Sequence, residues 1–157
     1  IREKELDGRI VRIFNTYGPR LQRDDGRVIS NFINQALKGE DLTIYGDGNQ
    51  TRSFCYVSDM VQGLNKAMFG PKTTGEVFNL GNPDEFTILQ IAQMVKELAN
   101  PKVVFITKPL PQDDPRRRCP NIEKAMRLLG WTPKVDLKTG LKKTIENFKA
   151  RISANAQ

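Results

Sequence analysis

Strand-length apolar runs alternate with helix-length amphipathic stretches along this chain, and that alternation limits the fold more than any other feature. Residues 9–14 alternate polar and apolar side chains, the period of a strand. After Asp24-Asp25-Gly26, the residues Val28, Ile29, Phe32, Ile33, Ala36 and Leu37 recur at helical spacing, and Gly39 closes that helix. Residues 42–45 and 53–57 read as strands, with a strong turn signal at Gly46-Asp47-Gly48-Asn49 between them. Ser58 and Asp59 have the chemistry to cap a helix reaching about Met68. A strand over 77–80 follows. Thr87 then caps a helix carrying Ile88, Ile91, Met94, Val95 and Leu98, and residues 103–106 form a further strand. A proline-rich loop over 109–120 holds Arg116-Arg117-Arg118. Helices over 122–129 and 137–150 flank Gly130-Trp131-Thr132-Pro133, with Trp131 expected as a core plug, and the tail 153–157 is expected to fray. This order predicts an α/β or α+β fold.

Composition narrows the chemistry. The 157 residues are 38% hydrophobic and 27% charged, enough for one ordinary domain with a sizeable core. No apolar run approaches the ~20 residues of a membrane span, and the charged opening Ile1-Arg2-Glu3-Lys4-Glu5 does not read as a signal peptide. Ile1, where an initiator methionine would stand, points to a fragment or a processed chain. Lys and Arg outnumber Asp and Glu by 25 to 18, for a net charge of +7 that suits an anionic partner. The basic residues are dispersed and no reader motif is present, which argues against nucleic acid. With no histidine at all, Ser-His-Asp and Cys-His chemistry is excluded within this chain and a zinc site is not expected. Cys55 and Cys119 lack metal-ligand spacing and read as reduced thiols.

Open α/β sheets bind ligands beyond the carboxyl ends of their strands. Asn15, Thr16 and Arg20 follow the first strand, and Asn79, Gly81 and Asn82 surround the end of another. Taken singly, each candidate has a plain structural reading. Asn15 satisfies loop backbone groups, Arg52 is a solvated strand residue, and Arg116 to Arg118 are a solvated charge run. Together, Arg52 and the arginine loop offer forked donors suited to diphosphate or carboxylate. A small anionic ligand fits that pattern better than a nucleic acid.

Several segments match one family in order. They are Arg12-Ile13-Phe14-Asn15-Thr16-Tyr17-Gly18-Pro19-Arg20, Asp25-Gly26-Arg27-Val28-Ile29-Ser30-Asn31-Phe32, Leu42-Thr43-Ile44-Tyr45-Gly46-Asp47-Gly48-Asn49-Gln50-Thr51-Arg52-Ser53-Phe54 and Tyr56-Val57-Ser58-Asp59. Phe78-Asn79-Leu80-Gly81-Asn82-Pro83, Gln112-Asp113-Asp114-Pro115 through Arg118, and Leu129-Gly130-Trp131 complete the set. From about residue 9 to residue 149 the chain resembles the UDP-glucuronate decarboxylases (UDP-xylose synthases), which are extended short-chain dehydrogenases. The resemblance implies an α/β fold: the carboxy-terminal part of a Rossmann-type enzyme, with its last parallel strands (about 9–14 and 77–80) and a small mixed substrate-binding domain within residues 1–152. It also implies that the amino-terminal NAD-binding half, with the family's Tyr-x-x-x-Lys pair and glycine-rich phosphate loop, lies outside this chain. The chain alone is therefore expected to be inactive.

In that family NAD takes a hydride from sugar C4 as the 4-hydroxyl loses its proton, carbon dioxide leaves from the resulting 4-keto acid, and the returned hydride gives UDP-xylose. Carried over residue by residue, Asn15, Thr43, Tyr45 and Arg52 resemble the substrate-binding positions, and Thr16 and Arg27 the cofactor side. Arg118 resembles the arginine that reaches the sugar near its carboxylate and aids catalysis. With three consecutive arginines, a register slip to Arg117 remains open. Cys119-Pro120-Asn121 also departs from the family's Lys-Pro-Asp at that point. The resemblance further implies a UDP-sugar substrate, NAD, a homodimer for the intact enzyme, and a cytoplasmic location or an anchor upstream of this chain. The competing readings are a nucleotide-sugar 4-epimerase or 4,6-dehydratase, and a non-catalytic nucleotide-sugar-binding domain.

Overall fold

The computed structural model describes residues 6–112 and 115–154. Asp113 and Asp114 of the arginine loop, and the last three residues of the tail, lie outside them. In chain order the elements are β1 (Ile10–Ile13), β2 (Thr16–Tyr17), α1 (Val28–Lys38), β3 (Leu42–Tyr45), β4 (Thr51–Ser53), β5 (Cys55–Tyr56) and α2 (Val57–Phe69). Then come β6 (Val77–Leu80), β7 (Glu85–Thr87), α3 (Ile88–Ala99), β8 (Phe105–Lys108), β9 (Arg117–Arg118), α4 (Glu123–Leu129) and α5 (Leu137–Ala154). The chain divides into two compact units, each built from three separate stretches.

The first unit comprises residues 1–16, 53–84 and 119–135. Strands β1 and β6 run parallel, with Ile10 opposite Val77 and Ile13 opposite Leu80. Helices α2 and α4 pack on β6. Met60, Ala67, Phe78, Leu80, Ile122, Ala125 and Leu129 close around Trp131, whose ring is 1% exposed. The indole Nε1 donates to the Asp59 carbonyl at 2.9 Å, so the buried ring leaves no orphaned polar atom. A Cβ at Gly63 would lie 2.9 Å from both Leu80 and Trp131, so this helix position admits no side chain.

Asp59 behaves differently from the expectation. Helix α2 begins at Val57, its N-cap is Tyr56, and no side chain caps it. The buried Asp59 carboxylate instead accepts hydrogen bonds from the Lys134 and Val135 amides, both at 2.8 Å. A partner 75 residues away outcompetes the local turn because both amides would otherwise lack partners. Lys66 closes the other end of the motif, donating to the Leu129 and Gly130 carbonyls at the end of α4. Burial, with the Asp59 charge adding, pushes the Cys55 thiol up to about 12, which makes it inert as a nucleophile.

The second unit comprises residues 17–52, 85–118 and 136–157. Strands β3 and β8 run parallel, Leu42 opposite Phe105 and Tyr45 opposite Lys108. Helices α1 and α3 pack on each other and on β3, and α5 packs on both helices. Phe32, Ile33, Ala36, Leu42, Ile91, Val95, Leu141, Ile145 and Phe148 are buried there. Helix α3 starts as expected, with Thr87 and Gln90 forming a reciprocal capping box. Gly39 ends α1 in the left-handed conformation at φ 75°.

Four expectations shift. The Gly46–Asn49 segment does turn, but its flanking strands do not pair with each other: β3 joins β8, and β4 joins β7 and β9. The strand expected over 103–106 runs two residues later, because the β3 register fixes it. The run expected over 53–57 is broken into the ends of β4 and β5, with helix from Val57. Helix α5 also continues through Ala154, two residues into the stretch expected to fray. Among the described residues no helix is long and apolar enough to cross a membrane.

Candidate functional site

The three-stranded sheet β7-β4-β9 of the second unit gathers the charged candidates. Strands β4 and β9 run parallel, with Thr51 opposite Arg117 and Arg52 opposite Arg118. Side chains alternate across a pleated strand, so Thr51 and Arg117 share one face and Arg52 and Arg118 share the other.

Glu85, on β7 at the other flank of β4, organises the first of these faces. Its carboxylate accepts the Thr51 hydroxyl at 2.7 Å. It also receives a fork from Arg117, with Nε at 3.0 Å and Nη2 at 2.6 Å. On the opposite face Arg52 is 8% exposed, which overturns the reading of a solvated strand residue. Its Nη1 donates to the Thr51 carbonyl at 2.8 Å. Arg116, Arg117 and Arg118 are exposed, as a charge run would be. The register thus puts two guanidinium-bearing residues on one face, and such forked donors suit an anion with more than one oxygen.

Thr43 and Tyr45 lie on β3. The Thr43 side chain is buried and bonded to Gln35 of α1, whose amide donates to its hydroxyl at 2.9 Å and accepts from its backbone N–H at 3.2 Å. Tyr45, at the carboxyl end of β3, is 41% exposed. Gln50 ties that strand end to the approach of β4, donating to the Tyr45 carbonyl at 2.8 Å. In the turn between them the Asp47 carboxyl is held below its ordinary range by hydrogen bonds from Asn49, with the charge of Arg116 contributing. Arg27 stands at the N-cap of α1, its side chain 66% exposed and its Nε 3.6 Å from Asp25.

Asn15 and Thr16 belong to the first unit. The Asn15 amide donates to the Ser53 carbonyl at 3.2 Å, and its own carbonyl accepts the Cys55 amide at 2.8 Å. The structural role considered for Asn15 is thus present. The Thr16 hydroxyl donates to the Phe14 carbonyl at 2.9 Å. Asn79 and Asn82 also serve the backbone, through Asn121 and Asp84 respectively. The structure therefore brings Thr43, Tyr45, Arg27, Arg52 and Arg118 into one unit and places Asn15 and Thr16 in the other.

Two contributors escaped the sequence reading, Glu85 and Gln35. Gln35 sits between apolar positions of α1, where a polar residue at the edge of a buried face was the available signal. Glu85 carried none, since only strand register reveals what it touches. Among the described residues no cluster of His, Cys, Asp and Glu is placed to hold a metal.

Comparison with known proteins places this arrangement in a wider set. The chain is 54% identical to UDP-glucuronic acid decarboxylase 3 of Arabidopsis thaliana over 97% of its length, spanning 44% of that relative. It thus spans about half the length of the curated relatives it matches. The UDP-glucose 4-epimerase of Thermotoga maritima, solved with UDP-glucose, superposes with a TM-score of 0.90 at 36% identity, over 96% of this chain and 48% of the epimerase. The UDP-glucuronic acid 4-epimerase of Bacillus cereus, solved with UDP-glucuronic acid and NAD, gives 0.88 at 31% identity, with the same shares covered. These neighbours are Rossmann-type enzymes, and the mixed α/β architecture with its small parallel sheets agrees with the fold class expected from the sequence. Residues 1–81, half of the chain, match the model of the NAD dependent epimerase/dehydratase family, and the chain belongs to that family.

Proposed function

We propose that this chain is the nucleotide-sugar-recognition part of an NAD-dependent UDP-glucuronate decarboxylase, which converts UDP-glucuronate to UDP-xylose and carbon dioxide. The observation that carries the reading is the register of β4 and β9, which sets Arg52 and Arg118 abreast on one face. A diphosphate and a sugar carboxylate on one ligand present anions to match such a pair.

In this reading Arg52, with Thr43 and Tyr45 near the end of β3, holds the uridine and diphosphate, and Asn15 contacts the sugar-diphosphate. Arg118 faces the sugar carboxylate. A 4-keto group lies β to that carboxylate, so the bond to the departing carbon dioxide breaks with its electron pair flowing into an enolate. The guanidinium of Arg118 binds the carboxylate before this step and offsets the enolate charge after it. Arg117 is the weaker candidate for that role because its fork engages Glu85 on the opposite face. Thr16 and Arg27 stand on the cofactor side. The exposed Arg27 guanidinium suits a phosphate, and the Thr16 hydroxyl retains lone pairs for a ribose hydroxyl. NAD, when bound, would supply the acceptor for the hydride leaving sugar C4, as the 4-hydroxyl gives up its proton, and would later return that hydride to C4. No Tyr-x-x-x-Lys string or glycine-rich phosphate loop occurs in the 157 residues, so the isolated chain is expected to be inert. The intact enzyme is read as a cytoplasmic homodimer. Two cysteines that form no disulfide agree with a reducing compartment.

A 4-epimerase is the second reading, favoured by the superposition on two epimerases. The higher identity to decarboxylases and the arginine run before Cys119 rank it below the first. The test is product analysis on the full-length protein that carries this chain, incubated with UDP-glucuronate and NAD. Release of carbon dioxide with a UDP-pentose is expected. A C4 epimer that keeps its carboxylate would replace the first reading with the second.

A further inference from the structure

We infer that Glu85 is a positioning residue for this site: it fixes Arg117 on one face of β9 and thereby sets Arg118 on the other, beside Arg52. The inference rests on the decarboxylase reading for the role of Arg118, and on β-sheet geometry for the rest.

Strand β9 is two residues long, and both are arginines. Such a short element, exposed along its length, has little apolar burial to hold it in register. It joins β4 through the parallel pairing and through the Thr51 amide, which donates to the Arg116 carbonyl at 3.0 Å. Glu85 supplies a clamp across the sheet. One carboxylate holds the Thr51 hydroxyl of β4 and the Arg117 fork of β9, which ties all three strands together through side chains. The fork is charge-assisted and two-pronged, the geometry that fixes an arginine rather than merely attracting it.

The consequence for the site follows from the two-residue period of a strand. When Arg117 is pinned to the Glu85 face, its neighbour must project from the other. A slip by one residue would exchange them, bringing Arg117 beside Arg52 and turning Arg118 away. With three arginines in a row, a slip that brings Arg116 opposite Thr51 still places an arginine opposite both Thr51 and Arg52, so residue type alone does not choose between the registers. Glu85 secures the observed register by holding Thr51 and Arg117 together. The cost of losing it is therefore misplacement of Arg118 rather than loss of a charge that touches substrate. Catalysis is sensitive to such misplacement: an error of about 1 Å costs on the order of a hundredfold.

The test uses the full-length protein and the isosteric Glu85→Gln, with Arg117→Gln and the double variant. Glu85→Gln is expected to lower kcat/KM for UDP-glucuronate about tenfold or more, while affinity for UDP alone, measured by calorimetry, stays within about twofold. The double variant is expected to be no worse than either single one, because both remove the same contact. A residue of purely structural importance would instead lower the melting temperature and weaken UDP and UDP-glucuronate alike. Unchanged kcat/KM in Glu85→Gln, or additive losses in the double variant, would overturn the inference. Should the wild-type protein release no carbon dioxide at all, the decarboxylase reading is what fails. The ratio of UDP-glucuronate to UDP affinity then reads the positioning role, and an identical ratio in wild type and Glu85→Gln would reject it.

Discussion

Two sets of polar side chains, one in each unit, are put to different uses. In the first unit they turn to the backbone: Asp59 holds two amides, Lys66 two carbonyls, Asn15 the Ser53 carbonyl and Asn79 the Asn121 carbonyl. In the β7-β4-β9 sheet of the second unit Arg117 and Thr51 turn to the Glu85 side chain, and the register sets Arg52 opposite Arg118. Groups that answer a backbone amide or carbonyl build a frame. Forked cationic donors placed on one face of a strand pair are groups that an anion with several oxygens can bridge. The difference separates residues that make the fold from residues that make a site, even where both are buried and polar.

The comparison is most exposed to failure at Trp131. If the first unit is frame, truncating the indole should act on stability. Trp131→Ala leaves a large cavity and removes the indole hydrogen bond to the Asp59 carbonyl, and about 3–5 kcal/mol of destabilisation is expected. Denaturant unfolding of the full-length protein measures it. A loss below about 1 kcal/mol would mean that the core collapses around the gap and that the tight approach at Gly63 is not needed.

Arg118→Ala probes the other side. The residue is exposed on a two-residue strand, so its removal should leave the unfolding midpoint nearly unchanged. Decarboxylation should fall about a hundredfold or more, as for loss of a donor aimed at developing charge, while NAD affinity persists. Fluorescence titration with NAD alongside the carbon dioxide assay separates the two. Equal loss of NAD binding would remove Arg118 from the sugar end of the site.

How much of this was legible from sequence follows the same division. Elements whose signals are local were read correctly: the apolar period of α1, its Gly39 stop, and Thr87 as the cap of α3. Trp131 was placed in the core because a large ring between two helices has few other places to go. What was missed depends on partners distant in the chain. Ser58 and Asp59 look like a helix cap until Lys134 and Val135 arrive. Gly46–Asn49 looks like a hairpin turn until β3 and β4 take different partners. Arg52 looks solvated until β4 becomes the middle strand of its sheet. For the candidate site, sequence supplied the residue types and a resemblance supplied their roles. Neither contained the β4–β9 register, and so Glu85 went unseen and the choice between Arg117 and Arg118 stayed open.

The smallest effect asks whether frame and site are distinctions of use or merely of location. Asp136 lies in the second unit but does the work typical of the first, accepting the Thr139 amide at 2.9 Å at the start of α5. That hydrogen bond is the main reason its carboxyl is held below the ordinary range. A folded-state value below the unfolded one gives stability that is present above the unfolded range, about pH 4, and is lost as pH falls through the folded value. Asp136→Ala should therefore cost about 1 kcal/mol at neutral pH, as for a lost N-cap. It should leave kcat/KM for UDP-glucuronate unchanged, and its stability deficit should shrink as pH is lowered below about 4. Denaturant midpoints of wild type and variant across that range supply the check. A deficit that persists undiminished in acid would show that packing around Asp136, not its charge on the helix end, is what the substitution removes. The carboxylates of the frame would then have to be judged one by one.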